Sequence, residues 1–167
     1  MRFEISQHFT APAHEVQALF LDESFPAGGG DDPDARIAYV EMVSHEVTAT
    51  RALIEVRYRF VADLPAAATA IISPHRLTWV ERTEVDVTTM VSRIQIVPDH
   101  YANRLTASAT ATIAESGSDG RPGTTRSISG ELKVRALLVG GQVERAIVDG
   151  MAEHFAAEEA RAVDALN

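Results

Sequence analysis

Two hydrophobic periods divide the chain. Between Gly140 and Leu166, apolar residues fall at Val143, Ile147, Met151 and Phe155, then Ala162 and Val163, the spacing of one face of an α-helix. The other face carries Gln142, Glu144, Arg145, Asp149, Glu153, Glu158, Arg161 and Asp164. At roughly 1.5 Å per residue this helix is about 40 Å long. It lacks the charge-free length of a membrane span and the sustained heptads of a coiled coil. Upstream the dominant period is two. Residues 2–10 set Phe3, Ile5 and Phe9 against Arg2, Glu4, Ser6 and His8, which predicts a half-buried strand. Thr10-Ala11-Pro12 reads as a helix start, with Thr10 as cap and Pro12 in the first turn. Val16, Leu19 and Phe20 form the buried side of that short helix, which ends near Asp22.

From Glu23 to Asp34, the residues Pro26, Gly28-Gly29-Gly30 and Asp31-Asp32-Pro33 predict a surface loop, with a second short helix over Pro33–Val40. Residues 42–49 and 52–62 read as a hairpin, its second strand setting Ile54, Val56, Tyr58 and Phe60 against Glu55, Arg57 and Arg59. Leu64–Ile72 reads as a short helical crossover behind Pro65. Four further strands follow at 76–86, 89–97, 104–114 and 125–136, broken by Pro98-Asp99-His100 and by a Glu115–Gly123 loop with its turn at Asp119-Gly120. The break at Thr88-Thr89 is too short and too β-prone to place. Strands joined by short turns imply antiparallel pairing, since parallel neighbours need long crossovers. The expected architecture is α+β: one domain over 1–167, a curved antiparallel sheet of six to seven strands wrapped around the C-terminal helix.

Composition narrows the function. With 167 residues, 46% hydrophobic and 23% charged, the chain can bury an ordinary core. The absence of cysteine removes disulfides, thiolate nucleophiles and cysteine-based metal sites. With no apolar leader and no membrane-length run, a cytoplasmic location and no integral membrane segment are expected. A net charge of −9 argues against sequence-independent nucleic-acid binding. The arginines around Arg57/Arg59 and Arg121/Arg126 read as exposed strand or loop residues.

The segment Phe3-Glu4-Ile5 through Thr10-Ala11-Pro12-Ala13-His14-Glu15-Val16 to Leu19-Phe20-Leu21-Asp22 resembles the opening strand and helix of the START-like (SRPBCC) superfamily. That superfamily has the helix-grip fold and includes Bet v 1-type allergens and polyketide cyclase/dehydratases. The segment Val134-Arg135-Ala136-Leu137-Leu138-Val139-Gly140-Gly141-Gln142-Val143-Glu144, with Thr83-Glu84 after Trp79, resembles an actinobacterial family of uncharacterised function within it. The resemblance covers essentially the whole chain. It implies a cavity between sheet and helix that holds lipids, sterols, polyketides or other apolar molecules, and it carries over no catalytic residue.

The residues suggest such a cavity independently. Leu105, Ala107, Ala109, Ala111 and Ile113 share one strand face, and three alanines leave room beneath the helix unless they simply let it approach. On that reading Ala109→Phe blocks ligand uptake without unfolding the protein. Tyr58, Trp79, Ile147, Met151, His154 and Phe155 complete the expected lining. Tyr58 and Trp79 supply either a hydroxyl and an aromatic wall or plain core packing. His154 borders the buried stripe, as a proton donor or an ordinary boundary histidine. Glu81, Arg93 and Gln95 read as a buried polar group or, preferably, an exposed cross-strand ion pair. Gly140-Gly141 reads as a closely packed helix start rather than an anion site. The histidines at 8, 14, 45, 75, 100 and 154 form no metal motif, and neither Gly28–Gly30 nor Ser118 fits a phosphate loop or nucleophile elbow. No metal or cofactor is expected.

Three functions follow in order of preference. The first is a carrier or binding protein for an apolar small molecule. The second is a cyclase/dehydratase-type enzyme using the same cavity, with His154 or Tyr58 moving a proton. The third is a protein-interaction module with a filled core. The sequence leaves the ligand, a protein partner or homo-oligomer, and a gating role for Gly28–Asp34 open.

Overall fold

In a computed structural model of the chain, residues 1–29, 35–64, 66–69, 72–117, 123–136 and 138–167 are described. The strands are β1 (Arg2–Phe9), β2 (Ile37–Val47), β3 (Arg51–Phe60), β4 (Thr78–Asp86), β5 (Val91–Pro98), β6 (Leu105–Glu115) and β7 (Thr124–Val134). The helices are α1 (Ala13–Phe20), the single turn α2 (Ala66–Thr69) and α3 (Gly140–Leu166), with short 3₁₀ segments at Pro26–Gly29 and Pro74–Arg76. All these strands join one seven-stranded sheet in the order β1-β7-β6-β5-β4-β3-β2, each neighbour antiparallel. The first strand thus pairs with the last, and the sheet curls around α3 in the expected helix-grip arrangement. No helix among the described residues is long and apolar enough to cross a membrane.

Local chemistry explains where the elements begin and end. In α1 the expected cap is displaced. Pro12, with ψ 153°, precedes the first turn and its carbonyl accepts from Glu15 and Val16 at 3.1 Å, while Thr10 is exposed and caps nothing. The difficult break after β4 is an Asp-led turn. Asp86 Oδ1 accepts from Thr88 N (3.0 Å) and Thr89 N (2.9 Å), and Met90 takes φ 56° before β5 begins. The helix expected over Pro33–Val40 does not form where the chain is described. Ile37–Val47 is strand, because Ile37, Tyr39 and Met42 meet Phe60, Tyr58 and Val56 across the hairpin. Two register shifts leave Val40 and Val43 unpaired as bulges on this edge, both exposed, which bends β2. The proposed gate over Gly28–Asp34 and the Asp119-Gly120 turn fall largely or wholly outside the described residues.

α3 lies in the concave face, burying Val143, Ile147 and Phe155 against a core that includes Phe3, Val56, Phe60, Ile94, Ile128 and Leu132, and Ala162 against a smaller cluster of Phe9, Ala11 and Val16. At its start, a side chain on Gly140 would place Cβ 2.6 Å from Val134 O, so close packing requires glycine there. Val134 N donates to Glu144 Oε1 at 2.8 Å. Further along, Arg36 Nε pairs with Glu153 at 2.6 Å, and His8 N donates to Glu159 at 2.6 Å.

Candidate functional site

The inward-facing positions of the sheet leave two adjoining cavities beneath the helices. The first, about 40 Å³, is lined almost wholly by apolar groups from both layers, including Phe60, Leu77, Ile96, Leu105 and Leu132. Tyr58, Trp79, Ile147, Met151, His154 and Phe155 come together in its wall, together with Glu81. Ala107, Ala109 and Ala111 do not line it. They share the inward side of β6, but a Cβ on the facing Gly130 would sit 2.7 Å from Ala109 Cβ and 2.8 Å from Phe3 Cζ. The Phe3 ring therefore packs over Gly130 beside Ala109, in part of the space expected to be a hollow. The small residues let an aromatic ring pack close to the strands. The second cavity, about 70 Å³, is more polar and lies under α1, lined by Gln17, Phe20, Phe25, Thr83, Arg126 and Glu158. Tyr58 and Glu81 border both.

A buried polar cluster stands at the back of this second cavity. Arg126 on β7 pairs with Glu158 on α3 at 2.7 Å and donates to Gln7 Oε1 on β1 at 2.7 Å. Gln7 Nε2 in turn donates to Phe155 O at 2.7 Å and to Glu158 Oε1 at 3.1 Å. The guanidinium lies 4.2 Å from the centre of the Phe20 ring, a cation–π contact. Arg126 is therefore an interior residue, which corrects its reading as an exposed strand arginine, and Glu158 belongs to the inner side of α3. Strand parity puts Gln7 in line with Phe3, Ile5 and Phe9, and Arg126 in line with Ile128 and Leu132. That parity was the available signal.

Glu81 differs from both of these charged residues. The expected cross-strand ion pair does not form: Glu81 sits opposite Ile96 and Val56 on the inner face, while Arg93 and Gln95 are exposed on the outer one. Among the described residues no cation lies within ion-pair distance of its carboxylate. It is half-buried and borders both cavities. Desolvation first, then the charge of Glu158, raises its pKa to about 7, against smaller opposing effects of Arg126 and a Thr83 hydrogen bond.

Burial disfavours the charged forms of the neighbouring groups. Burial lowers the pKa of His154, with Arg161 and Arg126 reinforcing it against the opposing charge of Glu158. Burial and the carboxylates of Glu81 and Glu158 raise that of Tyr58 well above the ordinary value. The His154 ring stands edge-on to Tyr58, centroids 5.5 Å apart, and Tyr58 lies 6.3 Å from Trp79. Trp79 Nε1 is buried without a hydrogen-bond partner among the described residues. The site thus offers aromatic walls and, among the described residues, an N–H donor without a partner and a carboxyl without a cation beside it.

A sequence profile described as "Protein of unknown function (DUF2505)" matches residues 4–166. No curated protein matches the chain. Solved structures match its fold over nearly all of both chains. The Thermus thermophilus protein TTHA0849 aligns over 100% of each chain with a TM-score of 0.68 at 16% identity. The Zhui aromatase/cyclase of Streptomyces sp. R1128 covers 97% of this chain and 93% of its own, with a TM-score of 0.58 at 12% identity. A Thalictrum flavum norcoclaurine synthase point mutant, in complex with a transition-state analogue, covers 100% and 96%, with a TM-score of 0.57 at 14% identity. At these identities the likeness extends to the fold alone.

Proposed function

The chain belongs to the family described as protein of unknown function (DUF2505), and we propose that it binds a compact, largely apolar small molecule between the sheet and α3. The observation that carries this reading is the apolar chamber walled by Tyr58, Trp79 and His154, with the Trp79 indole N–H buried beside it without a partner among the described residues. An unsatisfied buried donor is costly, and a ligand acceptor would relieve that cost. The helix-grip neighbours named as an aromatase/cyclase and as a synthase held with a transition-state analogue support small organic molecules as the cargo of such a fold. Size revises the expectation of a sterol or long lipid. Ligand pockets usually measure roughly 300–1,000 Å³, whereas this chamber has about 40 Å³, so a compact guest must displace part of the wall.

A second reading, the protein-interaction module, has its own observation. The nearly filled interior accompanies an edge strand whose Val40, Val43 and Val47 are exposed. Trp79 is the only tryptophan in the chain and distinguishes the two. Titration with cyclohexylmethanol is expected to change its emission saturably. Met151→Phe, which sets a ring into the chamber, should weaken that response at least tenfold in a protein whose circular dichroism is unchanged. A flat Trp79 signal would refute small-molecule binding and leave the interaction reading.

A further inference from the structure

Glu81 identifies the kind of molecule the chamber accepts, an inference that rests on the binding reading above. We propose that Glu81 selects an uncharged ligand by acting as a carboxylic acid that donates to an acceptor oxygen, so that the guest is an apolar alcohol, ketone or ester.

Three observations converge on this. An anionic guest such as a fatty acid would meet no counter-charge in the apolar chamber. Its ionisable lining groups are Tyr58, Glu81, His100 and His154, with no Lys or Arg among the lining residues. Arg126, beside the second cavity, is already engaged by Glu158 and Gln7. The carboxylate of Glu158 is matched by Arg126 and its effect on the site is opposed by Arg161, so a cationic guest gains no free counter-charge from it. Glu81 itself lies at the junction of both cavities without a cation among the described residues, with Val56 and Ile96 beside it on the neighbouring strands. As a neutral acid it has a proton to donate and no charge to solvate.

Binding and protonation then reinforce each other. An apolar guest removes the remaining water from Glu81 and further disfavours its charged form. The groups acting on it are Glu158 from α3, Arg126 from β7, Tyr58 from β3 and Thr83 from its own strand, and His154 of α3 and His100 share the chamber wall with it. Of these, Glu158 and Arg126 act in opposite directions, and burial disfavours the charged forms of Tyr58 and His154. Glu81 changes charge near neutrality, with a midpoint of about 7 in the free protein.

The test uses three molecules of one shape: cyclohexylmethanol, cyclohexanecarboxylate and cyclohexylmethylamine. Trp79 emission gives affinity at pH 6 and pH 8, and calorimetry in two buffers of different ionisation enthalpy counts protons. The alcohol should bind best at pH 6, take up a proton on binding near pH 7, and weaken about tenfold by pH 8, following the protonated fraction of the carboxyl. Glu81→Gln, a permanently uncharged donor, should abolish that pH dependence, and Glu81→Leu should weaken alcohol binding at pH 6. Preferred binding of the amine with proton release, or of the carboxylate, would overturn the proposal. So would alcohol binding that ignores both pH and Glu81→Gln, although the chamber reading would then survive. Silence of Trp79 towards all three molecules would refute the chamber reading and, with it, this proposal.

Discussion

Replacing Glu81 by Gln should stabilise the free protein, and only above a definite pH. The unfolded chain ionises this carboxyl near its ordinary value of 4.5, whereas the folded protein holds the proton to about 7. Below 4.5 both states are protonated and the residue contributes no pH dependence. Between the two values the unfolded chain is ionised while the folded one is not, so folding stability falls as pH rises, by about 1.4 kcal/mol per unit. Above 7 the loss is complete, reaching up to about 3 kcal/mol. Gln keeps the shape and removes the titration. The difference between variant and wild type should therefore grow from near zero at about pH 4.5 to its full value at about pH 8. For a chain of this length each kcal/mol moves Tm by roughly 2–4 °C, so Glu81→Gln should melt up to about 6–12 °C higher at pH 8. Urea denaturation of both proteins at half-unit pH steps measures it, because titrating groups remote from Glu81 cancel in the difference. A constant difference across pH, or a Gln variant less stable at pH 8, would show that the carboxylate has a partner and that desolvation does not govern it.

Arg126→Leu should cost about 3–5 kcal/mol in denaturant unfolding, because it strands Glu158 in the interior, whereas the double change Arg126→Leu/Glu158→Leu should recover most of that loss. Recovery of less than a third would mean that the charges matter less than the packing against Phe20. Gly130→Ala should lower Tm strongly, since its Cβ would sit 2.4 Å from Ser108 O and 2.7 Å from Ala109 Cβ. An unchanged Tm would contradict the close approach of Phe3 to β7. Ala109→Phe, expected from the alternation to block a cavity harmlessly, should instead be poorly folded by circular dichroism, because the Phe3 ring already occupies that space.

The strand and helix periods carried most of the fold, since alternation and the three-and-four spacing follow from which faces are buried. The errors lay where a tertiary contact decides. Ile37–Val40 is strand because Tyr58 and Phe60 lie opposite, a pairing that no local propensity encodes. Tyr58, Trp79, His154 and Phe155 could be assigned to one wall because each lay on an apolar stripe. The polar members of that stripe were harder to recognise. Gln7, Arg126 and Glu158 share the inward parity or helical face of buried neighbours, but long polar side chains at such positions ordinarily turn outward unless they are paired. Their partners lie on three different elements, β1, β7 and α3. The alanines of β6 show the same limitation from the apolar side, since small residues on one face record either a void or a ring brought up close. Only the Phe3 position distinguishes the two.

The anchoring of α3 determines how so small a chamber could admit a guest. On the β1/β7 side the helix is tied near its start by Glu144 to Val134 N, and towards its end by Gln7 to Phe155 O and by Arg126 to Glu158. Breaking the buried part of that set costs several kcal/mol. On the β2 side, the described ion pair is Arg36 with Glu153, both substantially exposed and of the kind worth about 0–1 kcal/mol. β2 is also an edge strand, bent by two bulges and held by one neighbour. The chamber wall contributed by Ile37 of β2 is therefore the one that yields at least cost, and a guest should enter between the β2–β3 hairpin and α3. Faster hydrogen exchange on binding would then appear in Ile37–Val47, while β1 and β7 remain protected. Loss of protection along β1 or β7 instead would mean that the helix lifts from its buried anchors.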